Sequence, residues 1–253
     1  MLIAAFWGLV QGLTEFLPIS SSGHLVLIPA LLGMDEPDLA TTAVLHLGTL
    51  LAILWYYRSD VAGLVLRPVS RSSRRIWWLL ILGTIPAAVI GLTLKSPIEV
   101  VFSEPWLVAV CLMITGVLLL GSHFLPKGRR RVEDARSADA GVVGMAQAFA
   151  LLPGISRSGV TITAGMAQGL SRTEAARYGF LLGIPAIAGA GTLEAIELID
   201  SGGFEASLLV GTAVAAVTGY AAISVLIRLI GRFGLLPFAL YCLAFGAASY
   251  LLV

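Results

Sequence analysis

Apolar residues along this chain gather into long stretches, and two of those stretches are interrupted near their middles by Pro, Gly and clustered Ser. Six run without interruption, over about 40–57, 76–94, 106–125, 175–199, 208–227 and 235–253. Each approaches the roughly 20 apolar residues that a helix needs to cross the hydrocarbon core of a bilayer. The interrupted stretches, about 3–33 and 142–170, carry PISSSG at 18–23 and PGISRSG at 153–159. A helix broken at membrane depth exposes N–H and C=O groups, which is tolerated only where protein or a polar cavity surrounds the break. The pattern therefore predicts an all-α polytopic membrane protein, with six transmembrane helices plus two re-entrant helix–loop–helix elements.

Composition supports the bilayer as solvent. Hydrophobic residues make up 58% of the 253 and charged residues only 12%, where a soluble domain carries roughly a quarter charged. Mean hydropathy is +0.94. The net charge of +1 provides no field for nucleic acid, so no nucleic-acid partner is expected. Cys111 and Cys242 both sit inside apolar runs, which suggests small core hydrophobes and no disulfide framework. The opening MLIAAFWGLV lacks a charged n-region and a small-residue cleavage site, so it is expected to be retained structure.

Charge placement gives an independent test of the topology. The loop 58–75 holds Arg58, Arg67, Arg71, Arg74 and Arg75, and the loop 126–141 holds Lys127, Arg129, Arg130, Arg131 and Arg136. Arg172 and Arg177 flank the fourth span, and Arg228 and Arg232 lie between the fifth and sixth. If both interrupted stretches dip in and return, these fourteen share one face, with Lys95 opposite and Arg157 inside the membrane. The other face is acidic, with Asp35, Glu36, Asp38, Glu99, Glu104, Asp200 and Glu205. The positive-inside rule then places the basic face in the cytoplasm and both termini outside. Trp7, Trp55, Trp77, Trp78 and Trp106 fall near predicted span ends, as interfacial anchors do. The basic loops face anionic membrane lipid.

Sliding the chain on itself by 136 residues superposes Gly8 on Gly144, Gln11 on Gln147 and Ile19 on Ile155. The same offset superposes Ser20 on Ser156, Ser22 on Ser158, Gly23 on Gly159 and Gly33 on Gly169. Each copy is a re-entrant element followed by three spans. Because three is odd, the second copy enters from the opposite side, which defines an inverted-topology repeat. Residues 1–253 are thus expected to form one membrane domain, with repeat 1 over about 1–125, repeat 2 over about 142–253 and a basic linker at 126–141. Such repeats place their site near the midplane, where broken helices meet.

The breaks also carry the candidate chemistry. Gln11 and Glu15 are four apart and share a helix face. Glu15 and His24 flank the hydroxyls of Ser20, Ser21 and Ser22. An ionisable group at membrane depth marks a functional site by default. In the second break Arg157 presents a planar fork of donors suited to phosphate or carboxylate, while Ser156, Ser158 and Gly159 leave backbone N–H groups open to an anion. An alternative role for Arg157 is to neutralise Glu15, and a resting pair can open to receive an anion. His46 either faces the cavity or packs through a hydrogen bond, and His123 lies near a helix end. Gln147 and Gln168 either line the site or satisfy backbone, and Glu194 and Glu197 approach the outer face. One carboxylate, one imidazole, several hydroxyls and one arginine suit phosphoryl transfer from a lipid. The nucleophile is a Ser among Ser20, Ser21 and Ser22, His24 itself, or water. Glu15 is the candidate ligand for a divalent metal, Mg²⁺ or Ca²⁺, that would neutralise a diphosphate. The rival reading is a secondary transporter or polyprenyl-phosphate flippase using the same cavity.

QGLTEFLPISSSGH at 11–24 together with LPGISRSG at 152–159 resembles the undecaprenyl-diphosphatase family of the bacitracin-resistance type, over essentially the whole chain. The resemblance implies metal-dependent hydrolysis of undecaprenyl diphosphate to undecaprenyl phosphate and phosphate. That reaction recycles the lipid carrier of cell-wall synthesis in the bacterial plasma (inner) membrane, and the resemblance implies a site that opens outward. It carries functional roles to Glu15, Ser21, Ser22, His24, Ser156 and Arg157. Gln11 stands where the family often has a second Glu, so a metal held by both would lose one charged ligand. A homodimer is compatible with this reading.

Overall fold

A computed structural model describes residues 1–200 and 206–253, and side chains outside 39–40, 99, 190 and 193–200. Glu99, Glu194, Glu197, Asp200 and Glu205 therefore lie outside the residues whose side chains are described. The regular elements among the described residues are all helices, without a strand. In chain order the helices are α1 (Leu2–Phe16), α2 (Ser21–Leu32), α3 (Leu39–Tyr56), α4 (Arg58–Leu66), α5 (Arg71–Thr93) and α6 (Lys95–Phe102). They continue as α7 (Pro105–Gly121), α8 (Ser137–Phe149), α9 (Arg157–Ala167), α10 (Arg172–Asp200), α11 (Ala206–Phe233) and α12 (Leu236–Leu252).

Both expected breaks are present, each ending one helix and starting another. Pro18 and Pro153 help end α1 and α8, because proline lacks the N–H that would continue the ladder. Among the described residues, Arg71–Thr93, Pro105–Phe124 and Ala206–Phe233 are long and apolar enough to cross a membrane. Thr41–Tyr56 and Arg58–Leu66 qualify only together, as a pair bent by 80°. The expected loop 58–75 is thus partly helical. Its apolar residues Val61, Leu64, Val65 and Leu66 follow a helical spacing that the flanking arginines obscure.

Small residues set the closest helix approaches. Gly8 and Gly12 of α1 lie against the backbone of Gly211, Ala215 and Gly219 on α11, and no Cβ fits at Gly8 or Gly12 without displacing them. Gly144 of α8 meets the backbone of Gly83 on α5, and a Cβ there would come within 2.8 Å of the Gly83 carbonyl oxygen, too close to fit. Close backbone approach through small residues is how apolar helices gain packing where lipid removes the hydrophobic drive. α11 also packs against α3, α7 against α12, and α3 against α10. Trp7 does not anchor an interface. It is 3% exposed and packs with Val10, Leu25 and Leu45, because its position on α1 faces inward. Trp55, Trp77, Trp78 and Trp106 are exposed.

The arginine-rich face is tied by a polar network. Arg177 donates through Nε and Nη2 to Asp60 Oδ1 (2.8 and 2.5 Å) and through Nη1 to Glu133 Oε1 (3.0 Å). This joins α4, the linker and α10. Arg130 donates to the Gln168 carbonyl and to Asp139 Oδ2, both at 2.7 Å. Asp139 also accepts from the Arg136 backbone N–H at 2.8 Å. Burial pushes the Asp139 carboxyl up, but these donors and the two guanidinium charges hold it below the ordinary aspartate value. The folded chain therefore keeps this carboxylate ionised to lower pH than the unfolded chain does. Its stabilisation is complete above the unfolded value of about 3.9 and is lost as pH falls through the native one. Asp139→Asn should lower stability at neutral pH by about 2 kcal/mol and flatten the loss below about pH 4. Thermal unfolding in detergent across pH would measure both.

Candidate active site

The inward face of α1 carries Gly8, Gln11, Gly12 and Glu15, at the three- and four-residue spacing of one helical stripe. The glycines bring α1 close to α11, and the polar pair rides on the same stripe. Gln11 is fully buried and Glu15 is 8% exposed. Gln11 Nε2 donates to Glu15 Oε2 at 3.1 Å, and Ser21 Oγ donates to the same oxygen at 2.6 Å. Ser21 is the first residue of α2, so the hydroxyl reaches Glu15 across the break. Ser20, before it, takes a left-handed φ of 67° and caps α2 by accepting from the Gly23 N–H at 3.2 Å. A non-glycine residue in that region costs about 1–3 kcal/mol, which the cap and surrounding contacts offset.

The second break is built the same way. Ser156 caps α9 by accepting from the Gly159 N–H, also at 3.2 Å. Arg157 is therefore the first residue of α9, at its positive end. Its Nη2 donates to Glu15 Oε1 at 2.5 Å. Its Nη1 is buried and has no hydrogen-bond partner among the described residues. The guanidinium lies against Gly183 of α10, where a Cβ would collide with it. The two breaks touch directly. A Cβ on Gly23 would come within 3.2 Å of Gly154 Cα, and Ser158 Oγ donates to the Leu17 carbonyl at 3.3 Å. Thr115 of α7 braces this second loop, donating to the Gly154 carbonyl at 2.9 Å and accepting from the Ser156 N–H at 3.1 Å.

The structure thus brings together Gln11, Glu15, Ser21 and Arg157. Ser20 and Ser22 pair with one another through their hydroxyls at 3.3 Å, and Ser156 and Ser158 do so at 3.2 Å. His24 is not hydrogen-bonded to Glu15 or to any of the three serine hydroxyls. It contacts the Ser20 carbonyl and the Tyr241 hydroxyl instead. His46 does face the site. Its Nε2 is 3.7 Å from Glu15 Oε2, while Nδ1 donates to the Thr42 carbonyl at 2.8 Å. The signal for His46 was a polar stripe on α3, with Thr42, His46 and Thr49 at i, i+4 and i+7. Gln147 satisfies backbone, donating to the Gly83 carbonyl at 3.3 Å, and His123 is exposed. Gln168 caps the end of α9.

Chemically, a carboxylate with a bound hydroxyl faces an arginine that has a spare donor, and two helix N-termini converge beside them. Such an arrangement can receive an anion. Residues 4–248 match the family described as bacitracin resistance protein BacA. The chain belongs to this family. It is similar to the undecaprenyl-diphosphatase of Geobacter metallireducens, at 42% identity over 99% of this chain and 97% of that protein. The undecaprenyl-diphosphatase of Trichlorobacter lovleyi is 43% identical over 97% of this chain and 94% of its own. That of Thermomicrobium roseum is 42% identical over 99% and 97%. Family membership and the apolar helices make this an integral membrane protein.

Proposed function

We propose that this protein is a phosphatase that hydrolyses undecaprenyl diphosphate to undecaprenyl phosphate and inorganic phosphate, and so sustains cell-wall synthesis and bacitracin resistance. The observation that carries the reading is the meeting of Glu15, Ser21 and Arg157 where the two breaks touch. The relatives are named for this diphosphatase. The transporter or flippase reading has no comparable support. Purified protein in detergent should release phosphate from a C55 or C15 diphosphate with Mg²⁺ or Ca²⁺ present. No release under those conditions would end the proposal.

The chain's own groups divide the work. Arg157 leaves Glu15 to take the phosphate, using the spare Nη1 as the second arm of a bidentate clamp. Ser21 Oγ attacks the terminal phosphorus as Glu15 takes its proton, and the bond to the bridging oxygen breaks, so that polyprenyl phosphate departs. Water then cleaves the phosphoserine, regenerating Ser21 and releasing phosphate. The hydrogen bond from Ser21 to Glu15 favours Glu15 over His24 as the base for the first step. His24 serves as the base for the water of the second step, its Nε2 passing from the Tyr241 hydroxyl to the water. Ser20, Ser156, Ser158 and Gly159 shape the phosphate cradle.

A metal is compatible with these residues. Among the described residues no three His, Cys, Asp or Glu side chains cluster as a cage. Mg²⁺ characteristically binds one or two carboxylates plus substrate phosphate. Glu15 would supply the carboxylate, and Gln11 Oε1, buried and without a partner among the described residues, a neutral oxygen. When bound, the ion would neutralise diphosphate charge. Gln11→Glu should accordingly retain activity and lower the metal concentration needed for half-maximal rate. An inactive variant would show that the Gln11 amide donor is itself required.

The same proposal includes six spans, two re-entrant elements and an inverted repeat, with termini and site facing outward from the plasma membrane. Reciprocal packing supports the repeat. α1 rests on α11 as α8 rests on α5, and the superposed Gly8 and Gly144 each meet a glycine there. A homodimer is compatible with the exposed apolar residues of α1 and α12.

A further inference from the structure

Both nitrogens of the His24 ring are engaged, and one of the partners lies outside both sequence motifs. Nδ1 is 2.8 Å from the Ser20 carbonyl oxygen. A carbonyl can only accept, so Nδ1 carries the hydrogen and Nε2 is the lone-pair nitrogen of the neutral ring. Nε2 then accepts from the Tyr241 hydroxyl, 2.7 Å away on α12. The Ser20 carbonyl also accepts the His24 backbone N–H at 3.2 Å, so the strained φ of Ser20 aims one oxygen at both donors. The imidazole stacks on Phe245, with centroids 4.9 Å apart and planes 20° apart, and lies within 6° of parallel to the Tyr241 ring. His24 is 3% exposed, whereas Tyr241 is half-exposed, so the phenol stands between the imidazole and the surroundings.

We propose that Tyr241 is a positioning residue for His24, fixing through its hydroxyl the orientation of a ring whose tautomer the Ser20 carbonyl sets. The inference rests on reading His24 as an acid–base group of the diphosphatase. Without the phenol O–H, a buried ring nitrogen loses its partner, and the ring is held at Nδ1 alone, so its orientation is no longer fixed. Fewer molecules then hold a competent base, while diphosphate binding at Arg157 is untouched. The loss therefore falls on kcat and not on KM. Phe at this position keeps both ring stacks and removes only the hydroxyl.

The test is a double-mutant cycle on phosphate release from a C15 diphosphate, with thermal unfolding of each protein in detergent. Tyr241→Phe is expected to lower kcat by about tenfold with KM nearly unchanged, the size of one lost hydrogen bond to a working group. Its unfolding midpoint should stay within a few degrees of wild type. His24→Asn should lose at least as much, and adding Tyr241→Phe to it should cost nothing further. If His24→Asn is impaired while Tyr241→Phe turns over normally, or if the two losses multiply, the role of Tyr241 is overturned and the His24 reading stands. If His24→Asn turns over normally, the His24 reading itself fails, and the role of Tyr241 with it.

Discussion

Arg157→Lys should lower kcat for phosphate release by about 10²–10³, with little change in thermal stability. The two side chains carry the same charge, so Glu15 keeps a cationic neighbour and the buried pair survives. What disappears is the fork. In the native site Nη2 is committed to Glu15 Oε1 and Nη1 is buried without a partner among the described residues. A buried donor left unpaired is costly, and its retention at the meeting point of two helix N-termini is best explained by a ligand that fills it. A lysine ammonium can face the carboxylate or the phosphate, but it cannot span two phosphate oxygens in one plane. The effect should appear in kcat, because charge accumulates on the phosphoryl oxygens as the anhydride breaks. Near-normal turnover by Arg157→Lys would reduce Arg157 to an ion-pair partner of Glu15.

Much of this site could be read before any fold was known, and the parts that could not have a common cause. The breaks at PISSSG and PGISRSG were legible because Pro, Gly and Ser interrupt an otherwise apolar run, and local chemistry alone ends a helix there. The Ser caps follow from the same local rule. Ser20 and Ser156 each accept from the N–H three residues on, as N-cap residues do. The fold was legible in kind but less so in extent. α4 hides among arginines, and its 80° bend against α3 is a tertiary choice. Tyr241 had no signal, being one aromatic in an apolar C-terminal run, 217 residues from its partner His24. Trp7 misled because tryptophan near a predicted span end matches an interfacial anchor, whereas the α1–α3 contact buries it. Periodicity reports which face of a helix is apolar. It does not report which helix that face will meet.

The largest effect is expected at Glu15. Glu15→Ala should abolish phosphate release and also lower stability by about 3–5 kcal/mol, because it leaves the Arg157 guanidinium buried and unpaired. Since instability could itself explain inactivity, the informative variant is the neutral pair Glu15→Gln with Arg157→Gln. Replacing both members of a buried ion pair by uncharged groups of similar size is often nearly neutral for folding. The double variant should therefore unfold close to the wild-type midpoint. An amide at position 15 can still accept the Ser21 hydroxyl, which now donates to Glu15 at 2.6 Å, but it cannot take that proton. With no base for Ser21 and no clamp for the phosphate, restored stability should come without restored hydrolysis. Were the double variant both stable and active, the Glu15–Arg157 contact would be a structural bridge and the chemistry would have to lie elsewhere. His46, 3.7 Å from Glu15, would then be the next group to examine.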